Sequence, residues 1–590
     1  MRPKKAKPSV CWYAPLQLLR TSQQVAIANV FGRHADPRLV EGITRDDGSQ
    51  CGAQSITPFG PYDYSDQPAP FWLDYISDTG DGWDATYTVA YHAAQGKLTL
   101  STSGAGDAGT DGILTERGSI LVFGGDEVYP AASLEAYETR LILPFEHAFP
   151  KQDATGSLRL NPHVFAVPGN HDWYDSLVSF TRLFCSRGSF AGWEAPQQRS
   201  YFALKLPKSW WLIGTDLQLG NDIDGPQHAF FERLEKQIGP DESIILCHAE
   251  PNWINEKIYP DEYAYRSIRE LEALFGDRVK LFLAGDYHHY SRHENGGGVQ
   301  KIVAGGGGAF LHLTHGHDDT VLEGNEGDGP FYCRKKFPPR SHSWWLAWTN
   351  LFLFPIRNWP FGFATAPAYA VTASALITPD TQVSSVTDLL PHVVQRLSWE
   401  PFSLFWVVAI ATGVVFFTDT SKLWYRWTAG LIHAFSHITA AVLLGGVIAA
   451  MLRAWLAEFR PEWLPWQPPL AALATAVAGY MVGPLVLALY LTLSLNVFRH
   501  HRDDTSSALR NPHYKNFLRL CITPSGELTI YPVGIRRVAS RFGASDGSTH
   551  SRLHPLNGTR PFLIEDPIVI KPQQGTCSSR TVRQAGSCNR

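Results

Sequence analysis

The sequence predicts an α/β sandwich followed by an α-helical membrane region, and three observations carry that expectation. Four apolar runs each end in a turn and a side chain able to bind metal: 121–126, 164–172, 244–248 and 281–288. A buried strand followed by a tight turn delivers the next side chain to the carboxyl edge of a sheet, where sites collect. Helix-like segments separate these runs, as in a mixed sheet covered by helices. Near residue 340 the composition changes, and long apolar segments follow.

A chain of 590 residues exceeds one hydrophobic core, so two or three structural units are expected. Its net charge of -4 shows no basic excess, which argues against nucleic acid as a partner. The eight cysteines include no CxxC pair, a pattern suited to free thiols in a reducing compartment. The first eight residues carry charge but no apolar run long enough for a signal sequence follows, so the N-terminal part is expected in the cytoplasm.

Taken in order, residues 12–34 read as an amphipathic helix within an N-terminal lead-in, 1–60. An α/β unit is expected over 61–320. In it, 71–77 is a strand ending at Asp78, 84–96 a helix, and 101–111 a Gly-, Ser- and Thr-rich surface loop. Strand 121–125 leads into helix 133–149, with Ser133 as N-cap and Pro144 as a kink or stop. Residues 201–206 and 210–215 read as paired strands, and strand 244–247, helix 263–275 and strands 279–284 and 299–304 complete the alternation. The glycine tetrad Gly305, Gly306, Gly307 and Gly308 permits close backbone approach without identifying a phosphate loop.

A basic linker, 321–357, precedes a membrane region, 358–498. Four spans are expected there, at 358–377, 401–418, 428–452 and 470–496, because a crossing helix needs about 20 mostly apolar residues. Arg334, Lys335, Lys336 and Arg340 before the first span and Arg499, Arg502 and Arg510 after the last place both ends in the cytoplasm by the positive-inside rule. A C-terminal segment, 499–570, carries a β-hairpin signal at 517–522 and 527–531 and is expected to dock back on the α/β unit, and the polar tail 571–590 reads as disordered.

A two-metal hydrolase needs a carboxylate able to bridge two ions, with His, Asn and further carboxylates completing each shell. The strand-end residues supply that inventory. Gly125-Asp126, Gly169-Asn170-His171-Asp172, His248 and Gly285-Asp286-Tyr287-His288 resemble, in order, the motifs of the calcineurin-like metallophosphoesterases. With Ala35-Asp36-Pro37, the loop after Ser77 and the stretch from Pro168 to Asp175, the chain is similar over most of 12–540 to a membrane-anchored branch of that superfamily in bacteria and plants. The resemblance implies a double β-sandwich flanked by helices and two divalent ions. It makes Asp126 the bridging carboxylate, Asn170 and His248 ligands of one ion, and Asp78 and His288 ligands of the other. His171, paired with Asp172, would serve as general acid or transition-state donor.

Two positions depart from the superfamily pattern, Gly80 and Asp286, both where histidine is usual. Asp81 is expected to replace the first and Asp286 to ligate directly; a carboxylate-rich site favours Mn or Fe over Zn. His289, Arg292 and Arg199 are candidates for substrate contact, or plain loop residues. His433 and His437, four apart in the third span, are read either as a metal or proton relay or as interhelical hydrogen-bonding groups. The chain is thus expected to be a multi-pass membrane hydrolase of phosphomonoesters or phosphodiesters, lipid-linked esters among them, with its catalytic domain facing the cytoplasm. The rival is a membrane sensor or transporter with a non-catalytic phosphate-binding domain.

Overall fold

The computed structural model describes residues 2–31, 60–101, 112–150, 162–217, 223–260, 265–316, 318–324, 329–377, 386–418, 422–545, 551–557 and 559–573. Asp36, nearly all of the expected 101–111 loop and the tail beyond residue 573 lie outside them.

Three parallel strands open the fold: β1 (Phe71–Ile76), β2 (Ile120–Gly124) and β3 (His163–Val167). The chain then builds a second sheet from β4 (Phe202–Leu206), β5 (Trp210–Gly214), β6 (Ser243–Cys247), β7 (Val279–Ala284), β8 (Tyr290–Glu294), β9 (Gln300–Ala304) and β10 (Phe331–Phe337). Beyond the apolar helices, β11 (Lys515–Ile522) and β12 (Leu528–Ile535) return to the first sheet. The expected C-terminal hairpin is therefore no appended segment. It inserts beside β1 and contributes to an eleven-stranded sheet that faces the nine-stranded one, so the α/β unit does not end at residue 320.

Alternation along the strands makes this two-sheet arrangement. Leu73 and Tyr75 on β1, Val122 on β2 and Leu518 and Leu520 on β11 meet Leu204, Leu212, Ile245 and Leu283 from the other sheet. Their neighbours Ile76, Leu121 and Phe123 turn outward to pack under α2 (Trp83–Ala93) and the helical stretch around Phe145. On the far side, Leu246 and Phe282 pack under α3 (Gly225–Glu235) and α4 (Arg266–Phe275). Register between β11 and β1 is fixed by a buried ion pair, Arg519 Nε to Asp74 Oδ1 at 3.1 Å, whose guanidinium also donates to the carbonyls of Ala93 and Gln95. Burying such a pair contributes specificity more than stability, while removing one partner strands the other.

The lead-in helix α1 is Pro15–Phe31, and Ser133 caps the helix after β2 through its Oγ, which accepts from Ala136 N at 3.1 Å. The glycine tetrad packs rather than binds. A Cβ on Gly305 would lie 2.5 Å from Asp78 Oδ2, and one on Gly307 would lie 2.3 Å from the Ser77 carbonyl, so only glycine lets this strand exit pass beneath the Asp78 loop.

The membrane region departs from the expected four spans. The helices are α5 (Gly362–Leu376), α6 (Val386–Trp399), α7 (Pro401–Phe417), α8 (Leu423–Phe459) and α9 (Gln467–Phe498), then α10 (Arg502–Leu509). Among the described residues, two stretches, Leu423–Phe459 and Pro461–Phe498, are long and apolar enough to cross a bilayer, and the bent pair Leu389–Trp399 and Pro401–Phe417 makes a third if taken as one span. The 15 residues of α5 reach only about 22 Å at roughly 1.5 Å per residue, short of a hydrocarbon core of about 30 Å. α7 bends by 100° from the helix before it, and the expected loop at 378–400 is helical over Val386–Trp399. Hydropathy alone counts apolar windows; helix length and bends decide which of them reach across.

Candidate functional site

Three strands end in an aspartate held in the left-handed backbone region. Asp78 after β1, Asp126 after β2 and Asp286 after β7 have φ of 58°, 53° and 63°. Asp tolerates this region better than most residues, but it is sparsely populated and such strain collects at functional sites. The three turns bring the carboxylates together: Asp286 N donates to Asp78 Oδ1 at 3.1 Å, and His171 N donates to Asp126 Oδ1 at 2.9 Å.

Tyr129 stands at the centre. Its hydroxyl lies 2.9 Å from Asp78 Oδ1, 3.0 Å from Asp126 Oδ2 and 2.9 Å from His288 Nε2. One phenol proton cannot satisfy three acceptors, so the cluster calls for further protons or a cation. His288 keeps a lone pair on Nε2: its Nδ1 is 2.8 Å from the Phe310 carbonyl, which only accepts, so the proton sits on Nδ1. Asn170 Oδ1 is buried without a hydrogen-bond partner among the described residues, a second donor atom left open.

Electrostatics point the same way. Burial pushes the Asp78 carboxyl up to about 7, against hydrogen bonds from Ser77 and Tyr129 that lower it. Burial, then the charges of Asp78 and Asp172, raise Asp126 well above the usual range; burial, then Glu250 and Asp78, do the same to Asp286. These side chains are unfavourable as a cluster of anions and favourable around positive charge. Asp126 and Asp286 open into a cavity of about 550 Å³ that is also lined by Glu250, Arg502, Asp503 and Asp504, while Asp78 lies fully buried behind them, so the lining carries more acidic than basic groups.

Other expected residues are placed differently. His248 does not line the cavity: Cys247 faces the inter-sheet core, and the next residue continues the alternation to the helix side, its Nε2 3.9 Å from Glu272 Oε1 on α4. Glu250 lines the cavity instead, with burial raising its carboxyl above the usual range. Asp81 turns to the N-terminal segment, where its Oδ1 accepts from Val10 N at 2.9 Å. Asp172 does not pair with His171; it accepts from Gly169 N at 2.9 Å, Glu127 N at 3.3 Å and the Tyr137 hydroxyl, capping its own turn.

His171 lines the cavity. Burial lowers it to about 4, and Nδ1–H donates to the Pro130 carbonyl at 2.7 Å. Arg292 is committed to Glu565 at 2.7 Å, at the far end of β8, while Arg199 and the buried His289 are not among the lining residues. His433 and His437 are hydrogen-bonding groups: His437 Nδ1 meets the Tyr369 hydroxyl on α5 at 2.9 Å, and the two Nε2 atoms lie 3.1 Å apart.

Sequence reasoning missed several residues. Tyr129 is signalled only by its place three residues after Asp126, where a core aromatic is the ordinary reading. Arg502, Asp503 and Asp504 reach the cavity from α10, and Lys515 at the start of β11 is buried near Asp78 and Asp81, where burial lowers its ammonium to about 7. No local pattern announces residues that arrive from the other side of the apolar helices.

No protein-family model matches the chain, and no curated protein matches it. A solved structure titled "Structure of PhoD" aligns with 42% of this chain at 11% identity and a TM-score of 0.26, and the chain spans 60% of that structure's length. A likeness of that degree carries no weight for activity.

Proposed function

We propose that the acidic cavity is the active site of a metal-dependent phosphoesterase held at a membrane, acting on a phosphomonoester or phosphodiester. The observation that carries this is the crowding of Asp78, Asp126 and His288 on one hydroxyl, a donor set that fits a cation better than it fits itself. The facing sheets with helices on both outer sides agree with the resemblance in the motifs.

Asp78, Asp126, Asn170, Asp286 and His288 would hold the ions, with Tyr129 and Glu250 as added ligands; the oxygen-rich set favours Mn or Fe over Zn. Bound there, divalent ions supply positive charge to the phosphoryl oxygens and lower the pKa of a water. His171 contributes its own chemistry. With Nδ1–H committed to Pro130, Nε2 is the nitrogen left to meet a substrate oxygen, accepting a hydrogen bond while neutral and donating once protonated. Trp12 and Phe310 wall the cavity and limit water, and the Arg502 guanidinium, 3.7 Å above the Tyr287 ring, is paired with Asp503 at 2.7 Å on the α10 side.

The sheet also constrains membrane topology. β1 and β11 are hydrogen-bonded neighbours on either side of the apolar helices, which supports an even number of crossings. α8 and α9 meet that condition as a pair of crossings, with α6 and α7 re-entrant or interfacial. Lys422 and Arg426 before α8 and Arg499 after α9 support a catalytic unit facing the cytoplasm.

The test is turnover of p-nitrophenyl phosphate and its bis ester by purified full-length protein, before and after chelation and with Mn, Fe or Zn restored. Metal-dependent hydrolysis of either ester is expected; phosphate or nucleotide binding without hydrolysis of either, with metal bound, would favour the sensor reading.

A further inference from the structure

A second cavity, of about 440 Å³, lies among the apolar helices and is walled by α1, α5, α7, α8 and α9. Its size falls within the range of about 300–1,000 Å³ typical of ligand sites. Three observations mark it as a binding site. A Cβ on Gly413 of α7 would meet no atom within 4 Å, so this wall faces open space. His433 lines the cavity at 4% exposure; its Nε2 is taken by His437, while Nδ1 is buried with no hydrogen-bond partner among the described residues. An occupant carrying an ester or hydroxyl oxygen would satisfy that atom.

The third observation is position. Tyr13 walls this cavity and donates through its hydroxyl to the Asp504 carbonyl at 3.0 Å, while Trp12 and Asp504 line the acidic cavity. One dipeptide thus forms the partition between an apolar chamber at the membrane helices and the acidic chamber of the sandwich.

We propose that the apolar cavity holds the acyl chain of a lipid whose phosphate enters the acidic cavity, so that the substrate class is a lipid phosphate ester. This rests on the phosphoesterase reading given above. The apolar walls select the chain, His433 Nδ1 engages its ester oxygen, and the head group reaches past Trp12.

The experiment uses full-length protein in phosphatidylcholine nanodiscs containing phosphatidic acid with a diazirine in its acyl chain. Photolabelling of metal-free protein is expected to map to α5 and α7 around Gly413, and Gly413→Phe to reduce it at least fivefold. Ala368→Leu, which fills the same cavity from α5, should do likewise if the first variant folds poorly. With metal restored, the ratio of kcat/KM for dioleoyl phosphatidic acid to that for p-nitrophenyl phosphate should fall at least tenfold in either variant. Labelling spread over outward positions such as Phe435 and Met451 and insensitive to both variants would overturn the proposal, as would equal competition by diacylglycerol, which lacks the phosphate. Cavity labelling without turnover of either ester would overturn the phosphoesterase reading, and the substrate claim with it, while leaving a lipid site. Turnover of p-nitrophenyl phosphate with no cavity labelling would remove the lipid claim alone.

Discussion

Asp78 and Asp81 leave the same strand three residues apart, and Asn170 and Asp172 share one turn after β3, yet each pair divides between two kinds of work. Asp78 shares the Tyr129 hydroxyl with the acidic cluster and Asn170 keeps an unpartnered Oδ1 among the described residues, whereas Asp81 holds Val10 and Asp172 holds its own loop and Tyr137. Residue type does not separate the two groups. Among the aspartates, backbone does: Asp78, Asp126 and Asp286 share the left-handed conformation, and Asp81 and Asp172 do not, while Asn170 opens a short helix. A strained turn at a strand end aims a carboxylate at its neighbours across the sheet edge, while Asp81 fastens the N-terminal segment and Asp172 its own turn.

The sharpest way to break this division is Asp126→Asn. Turnover should fall about 10³-fold, roughly 4 kcal/mol of lost transition-state stabilisation, while the metal-free protein loses no stability, because a buried like charge is removed. Steady-state kinetics beside thermal unfolding of the chelated protein checks both halves. Tyr129→Phe comes next: about 10–100-fold weaker metal affinity by isothermal titration. On the other side of the comparison, Asp172→Ala should destabilise the fold by about 2–3 kcal/mol in denaturant titration, since it leaves buried N–H and hydroxyl donors unpaired. Its pH–rate profile should retain the wild-type shape, which a lost His171 partner would not allow.

A pH dependence follows from the Asp78 carboxyl, pushed up to about 7 by burial. A carboxyl whose folded pKa lies above its unfolded value stabilises the fold when protonated. That contribution is complete below about 4 and is lost as pH rises through about 7. Metal-free protein should therefore lose stability between these values, and added Mn should raise Tm more at pH 8 than at pH 5. The smallest effect expected is at Arg292→Ala, where kcat/KM should stay within about twofold because the guanidinium is committed to Glu565.

The strands, their order and the turns after β1, β2, β3 and β7 were legible from apolar runs ending in polar residues. Strand alternation was the neglected signal at His248: with Cys247 facing the other sheet, the next side chain had to face α4, which leaves the cavity to Glu250. Tyr129 was illegible because a tyrosine amid apolar residues has an ordinary core reading. The hairpin at β11 and β12 was visible as a hairpin but not as part of the sheet, because pairing partners far apart in sequence leave no local trace. The same distance hid Arg502 and Lys515. In the apolar region, hydropathy located the helices and overstated how many can cross.

The central claim is that Asp78, Asp126 and His288 converge to hold metal for phosphoester hydrolysis. Its most direct measurement is metal content by mass spectrometry together with bis-p-nitrophenyl phosphate and p-nitrophenyl phosphate turnover, for wild type and Asp126→Asn purified side by side. Bound Mn or Fe and metal-dependent turnover in the wild type, both lost in the variant, is the expected result; equal metal content and equal turnover in the two proteins would contradict it.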